Sequence, residues 1–296
     1  MEVNNKKNLP ATPFQDDFRG MNSELKIGLA LGGGGARGLA HLSVLEVFDE
    51  MGIRLNAISG ASIGAIVGAL YASGISARDI RDYVDSHLQI KKEDKPWKIE
   101  GRNLMQMVKL LDLDFSGNGL IKGENFSHFL YEILEIEDFS DLQIPLKVVA
   151  ADFWDSSEVV YDSGPVLPAV KASMSVPGVF TPVTYQGRVL VDGACVNPVP
   201  WNHLNDCDVI IGVNVLGRLQ PSDSLKPPKA AKVVLETFEV MQRTILAQRL
   251  CCNPPDLLLN PPITGVGIFD FHKAKMVYRQ SEGIVQELRD FLEKIV

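Results

Sequence analysis

Apolar residues along this chain fall into short unbroken runs, set between stretches with helical spacing. "KIGLALGG" (26–33) is apolar without alternation, which predicts a strand buried on both faces. Over 38–51, Leu39, Leu42, Leu45, Val47 and Phe48 mark one broad apolar face of a helix. "LNAISG" predicts a second strand and 63–73 a second helix. "ISARDIRDYVDSHL" predicts a third helix capped by Ser76.

Beyond a mixed stretch at 90–120, "KGENFSHFLYEIL" reads as helix and "IPLKVVAADF" as strand, followed by "SEVVYDSG". "PVLPAVKASMSVP" predicts a short helix, "GRVLVDGA" a strand stopping at Asp192, and "CDVIIGVNVL" another buried strand. A Pro/Ser-rich connection at 219–229 precedes a long helix over 230–250. "PDLLLNPP" is a last strand, and 270–295 a closing helix. Strands alternating with helices predict an α/β fold, a mostly parallel sheet sandwiched by helices. Residues 1–24 are polar and expected to be flexible. Residues 25–296 are expected to form a single domain, helical from about 217.

Composition narrows the class. The 296 residues are 46% hydrophobic and 22% charged, the balance of a globular protein. The net charge of −8 and the lack of a long basic run argue against a nucleic-acid partner. The cysteines (Cys195, Cys207, Cys251, Cys252) form no C-x-x-C pair, so no metal site is expected, and they read as reduced, mostly buried thiols. The N-terminus lacks a signal-peptide core, and the expected location is cytoplasmic. Residues 55–75 carry no charge and are long enough to span a membrane. Asn56, Ser59, Gly60 and Ser62 instead make them a strand, a turn and a buried helix.

Three predicted strands end in turns that carry chemistry: 32–38, 60–64 and 192–194. In the first, Gly33, Gly35 and Gly38 fit G-x-G-x-x-G. A dinucleotide site also needs an acid closing the second strand, and that strand ends in Ser59–Gly60. A P-loop needs Gly-Lys-Ser/Thr, which Arg37–Gly38 does not supply. A nucleotide-binding or regulatory role for the loop is therefore the alternative reading.

The second turn, Gly60 to Gly64, is G-x-S-x-G between a strand and a helix, the context of a nucleophile elbow. A serine attacking an ester creates an oxyanion, and a glycine loop opening a helix offers N–H donors for it. Ser59 is the rival nucleophile but lacks the flanking glycines. A triad could use Ser62, Asp192 and either His203 or His272, although neither histidine sits at a strand end. Arg37 reads as an electrostatic or bracing residue.

Four blocks in order resemble the patatin-like phospholipases, specifically the small bacterial type. They are G-G-G-x-R-G at Gly33–Gly38, G-x-S-x-G at Gly60–Gly64, Ala172-Ser173 with Pro177, and Asp192-Gly193-Ala194. The resemblance implies the patatin-like three-layer fold and a carboxylic ester hydrolase working through an acyl-enzyme. It implies a Ser62–Asp192 dyad without histidine or cofactor. Gly33, Gly34, Gly35, Arg37 and Gly38 would form or brace the oxyanion hole. The implied substrates are acyl esters of phospholipids, lysophospholipids or neutral lipids, a phospholipid or lysophospholipid being the expected partner. For a bilayer substrate, peripheral contact at the inner membrane face is expected through exposed apolar residues such as those near Trp97 and Phe115.

Overall fold

The computed structural model describes residues 25–88, 136–217 and 230–296. The N-terminal segment, the 219–229 connection, the helix expected at 122–134, and Trp97 and Phe115 lie outside the described residues.

The strands are β1 (Ile27–Leu31), β2 (Ala57–Ala61), β3 (Leu146–Asp152), β4 (Ser157–Tyr161), β5 (Val183–Tyr185), β6 (Arg188–Asp192), β7 (Val209–Val213) and β8 (Leu257–Leu259). They form one sheet in the order β5-β6-β3-β2-β1-β7-β8, with β4 also paired to β3. The strands β3, β2, β1, β7 and β8 are mutually parallel, while β4, β5 and β6 are antiparallel. The sheet is thus mixed, with a parallel core and an antiparallel wing. The helices are α1 (Ala40–Met51), α2 (Ile63–Ala72), α3 (Ala77–Leu88), α4 (Val166–Ser173), α5 (Ala230–Cys252), α6 (Ala274–Gln280) and α7 (Glu282–Ile295).

The apolar runs behave as their patterning demands. Every residue of β1 is buried, as expected for a strand covered on both faces. Ser76 caps α3 by accepting the Asp79 N–H at 3.1 Å. The uncharged stretch 55–75 resolves into β2 and α2, and no described helix is long and apolar enough to cross a membrane. The closing helix is broken in two at Ser281, whose hydroxyl donates to the Val277 carbonyl at 2.8 Å. The cysteines are not mostly buried: Cys251 and Cys252 are exposed at the end of α5, and Cys195 and Cys207 are half-buried. Sequence reading missed this because the tail of α5 turns its cysteine side chains away from the core.

One register relationship positions the site. β4 runs along one edge of β3. The opposite edge is shared by two strands. β2 covers it up to Ala61 beside Val149, and β6 covers it from Asp192 beside Ala150 onward. These are consecutive rungs, so the carboxyl ends of β2 and β6 meet head-on. Asp192 does close an apolar strand, but not the parallel one expected. It arrives from the opposite direction and stops where β2 turns.

Candidate active site

Ser62 links β2 to α2 with φ 56° and ψ −124°, a backbone conformation that disfavours any side chain. Its neighbours make room. A Cβ on Gly60 would lie 2.6 Å from the Gly64 carbonyl oxygen, and one on Gly64 would strike the Leu31 backbone. The elbow is also tied from outside, because the Ser62 N–H donates to Ser173 Oγ at 2.9 Å. Ser173 ends α4, so the Ala172-Ser173 block, which carried no chemistry in the sequence, holds the strained turn.

The Ser62 hydroxyl donates to Asp192 Oδ2 at 2.6 Å, and Asp192 Oδ1 accepts the Ala194 N–H at 2.8 Å. The Asp192 N–H donates to the Ser175 carbonyl at 3.0 Å, so the end of α4 and the turn after it anchor both residues. Asp192 is 1% exposed. Burial pushes its carboxyl up to about 7, against the opposing bonds from Ser62 and Ala194. A carboxylate of that basicity, bonded to a hydroxyl, can accept the hydroxyl's proton near neutral pH. Gly193 lies against the backbone of β3 at Val149, and Ala194 packs with Ala61 and Val149 beneath the pair.

The glycine loop divides its labour. Gly32 donates to the Val213 carbonyl and Gly33 to the Pro198 carbonyl, each at 3.0 Å. Gly33 therefore has no N–H to offer an oxyanion. It lies against the site, where a Cβ would be 2.8 Å from Ala194 Cβ and 3.3 Å from Ser62 Cβ. Among the described residues, the Gly34 and Gly35 N–H groups donate to no other residue. Gly35 has φ 59° and opens a 3-10 turn (Gly35–Leu39) that leads into α1. Gly38 packs against Ile63 at the start of α2.

Arg37 is buried and turned toward the C-terminal part of the chain. It bonds to the Leu216 carbonyl and, as an ion pair, to Glu239 of α5. Arg243 also reaches Glu239 at 2.8 Å. Arg37 is thus a brace fixing the loop to α5. His41 is a second brace that sequence reading passed over. It is fully buried, and its Nε2–H donates to the Gly32 carbonyl at 2.8 Å. Burial holds its pKa down to about 4, so it is neutral. Its spacing, three residues after Gly38 on the first turn of α1, was the available signal.

The histidine alternatives do not join this cluster. His203 sits in a 3-10 turn (Trp201–His203) and pairs with Glu158 at 2.7 Å. His272 is exposed in a second turn (Phe271–Lys273). Among the described residues, no histidine bonds to Ser62 or Asp192. Ser59 is fully buried and donates to the Pro200 carbonyl at 2.9 Å, a structural bond. No group of three or more metal-ligating side chains occurs among the described residues.

A serine on a strained strand-to-helix elbow, bonded to a buried carboxylate, thus stands at the end of an α/β sheet flanked by helices. Residues 29–204 match the family described as Patatin-like phospholipase. The chain belongs to that family. It is 27% identical over 309 residues to the lysophospholipase NTE1 of Coccidioides immitis, covering 96% of this chain but 19% of that protein. It is 32% identical over 200 residues to an uncharacterized NTE family protein of Mycobacterium tuberculosis, covering 66% of this chain and 51% of that one. The chain therefore spans about a fifth of the fungal relatives' length. Among solved structures, VipD from Legionella pneumophila superposes with TM-score 0.46 at 14% identity, over 89% of this chain and 67% of that one.

Proposed function

We propose that this protein is a serine acyl-ester hydrolase of the phospholipase A or lysophospholipase type, with Ser62 as nucleophile and Asp192 as its base. The observation that carries this reading is the 2.6 Å bond from the Ser62 hydroxyl to the buried Asp192 carboxylate. Asp192 takes the Ser62 proton as Oγ bonds to the ester carbonyl carbon. The carbonyl oxygen becomes an oxyanion, for which the Gly34 and Gly35 N–H groups are the available donors. The intermediate collapses, the alcohol–carbon bond breaks, and protonated Asp192 gives its proton to the leaving alcohol. Water then attacks the acyl carbon as Asp192 takes its proton, the acyl–Oγ bond breaks, and Asp192 returns that proton to Ser62 Oγ as the free acid leaves.

A lysophospholipid or phospholipid ester is the substrate class we favour, on the similarity to fungal lysophospholipases and the family's description. The small bacterial type and a cytoplasmic location, peripheral at the inner membrane face, complete the proposal.

A fluorophosphonate probe tests the nucleophile. It is expected to label the wild type and leave Ser62→Ala unlabelled, and Asp192→Asn is expected to hydrolyse esters at least a hundredfold more slowly. His203→Ala and His272→Ala are expected to keep wild-type rates. Ester hydrolysis retained by Ser62→Ala overturns the proposal.

A further inference from the structure

We propose that the tip of the β3–β4 hairpin and the outer face of α5 together form a docking surface for a zwitterionic lipid bilayer. This rests on the lipid-ester reading above and adds where the lipid surface is met.

Among the described residues, most large exposed apolar side chains fall in two places, with Met276 and Val296 apart from them. Phe153 and Trp154 are 53% and 75% exposed, just past the end of β3. Their rings pack edge to face at 4.9 Å, so they project as one aromatic unit. On α5, Val233, Val234, Val240 and Met241 are 43–57% exposed. Thr237 and Thr244 lie between them on the same face.

That face of α5 is unusual in its polarity. Glu239 is buried, and Glu236, Arg243 and Arg249 are half-buried. Between Val233 and Gln248 every exposed position is uncharged. A surface helix normally turns its charges outward. Here Glu239 and Arg243 are spent on the Arg37 brace, and Arg249 pairs with Glu158 at 3.3 Å. The outer face is left apolar.

Both features lie at the end of the sheet where Ser62 sits. Ser62 follows Ala61, which pairs with Val149, so Phe153 stands three rungs further on, roughly 10 Å beyond the serine. The aromatic tip is held rigid: Asp152 accepts the Trp154 and Asp155 N–H groups at 3.0 and 3.1 Å and pairs with Arg188 at 3.0 Å. α5 passes Gly178, in the loop that follows α4, where a Cβ would lie 3.8 Å from Val234. Its Glu239 holds the glycine loop through Arg37.

The chemistry selects the occupant. Trp154 at a projecting tip suits the headgroup layer of a bilayer, where its amphipathic ring partitions, and the adjoining Phe153 adds apolar area. The chain carries a net charge of −8 and Asp155 flanks the tip, which disfavours anionic lipid. The contact is therefore apolar and with a neutral surface.

Cosedimentation with phosphatidylcholine vesicles tests this, run beside hydrolysis of a water-soluble short-chain ester. The wild type is expected to bind the vesicles with little dependence on salt. Phe153→Ser/Trp154→Ser and Val234→Ser/Met241→Ser are each expected to bind at least tenfold more weakly, with soluble-ester rates unchanged. Absent wild-type binding, or binding undiminished in both variants, overturns the docking surface and leaves the hydrolase reading standing. Binding only to anionic vesicles overturns it too. So does a dimer in light scattering that Val234→Ser/Met241→Ser dissolves. Vesicle binding by a wild type inert to every ester leaves the surface and removes the hydrolase reading.

Discussion

The Ser173 hydroxyl accepts the backbone N–H of Ser62 at 2.9 Å, so a residue 111 positions away fixes the turn that presents the proposed nucleophile. Both groups are buried. Ser173→Ala leaves that N–H without a partner, a loss of about 1–3 kcal/mol. Thermal or denaturant unfolding is expected to show a destabilised but folded protein, with ester hydrolysis reduced.

The pH profile follows from Asp192. Only its ionised form can take the serine proton, and burial has pushed its carboxyl up to about 7. kcat/KM on a soluble ester is expected to rise with pH and level off above about 7. A profile already flat from pH 5 upward would show that Asp192 does not limit the reaction.

The same shift has the opposite sign for stability. A carboxyl whose folded pKa lies above its unfolded value favours the folded state while protonated, and that contribution is lost as pH rises through the folded value. Here the loss runs from about 4 to about 7. Asp192→Asn cannot ionise. Its melting temperature is expected to exceed wild type at pH 8, with the gap closing as pH falls toward 4. Differential scanning fluorimetry across that range reads the effect directly.

Arg37 and Glu239 are both nearly sealed from solvent, at 5% and 11% side-chain exposure. Removing Glu239 strands the buried Arg37 guanidinium, which costs about 3–5 kcal/mol, whereas removing Arg37 leaves Glu239 paired with Arg243. Glu239→Leu is expected to be strongly destabilised in urea unfolding, and Arg37→Met less so. The double variant is expected to be more stable than the sum of the two losses. Strict additivity would mean that the pair is not coupled.

Gly34 tests the glycine loop. An added Cβ would lie 2.5 Å from the Val215 carbonyl oxygen, so Gly34→Ala must displace the loop. Displacing a donor from the oxyanion is expected to lower kcat by about 100- to 1000-fold. Circular dichroism should show the fold retained.

The sequence made the strand–turn–helix at Ser62 legible because its steric demands are local: two glycines beside a serine, between a strand and a helix. The β1 and α2 runs were legible for the same reason, since burial on all sides leaves no polar position. The meeting of β2 with β6 was not, because the direction of β6 depends on its pairing with β3 and not on its own residues. Arg37 read as a brace in general terms, but its partner Glu239 is 202 positions away in a helix without motif. The braces Ser173 and His41 are ordinary polar residues whose role appears only when the chain folds over them.

The end-to-end junction of β2 and β6 also sets an order of events during synthesis. Ser62 and Asp192 are separated by 130 positions, and their strands share one edge of β3, which lies between them in the chain. A nascent chain carries a complete serine elbow long before its carboxylate partner has been made. The pair cannot exist until β3 has paired with β2 and β6 has then folded back onto the remaining rungs. In the proposed hydrolase, competence is thereby tied to the pairing of β6 with β3, and a chain that stops short of β6 carries a serine without its carboxylate.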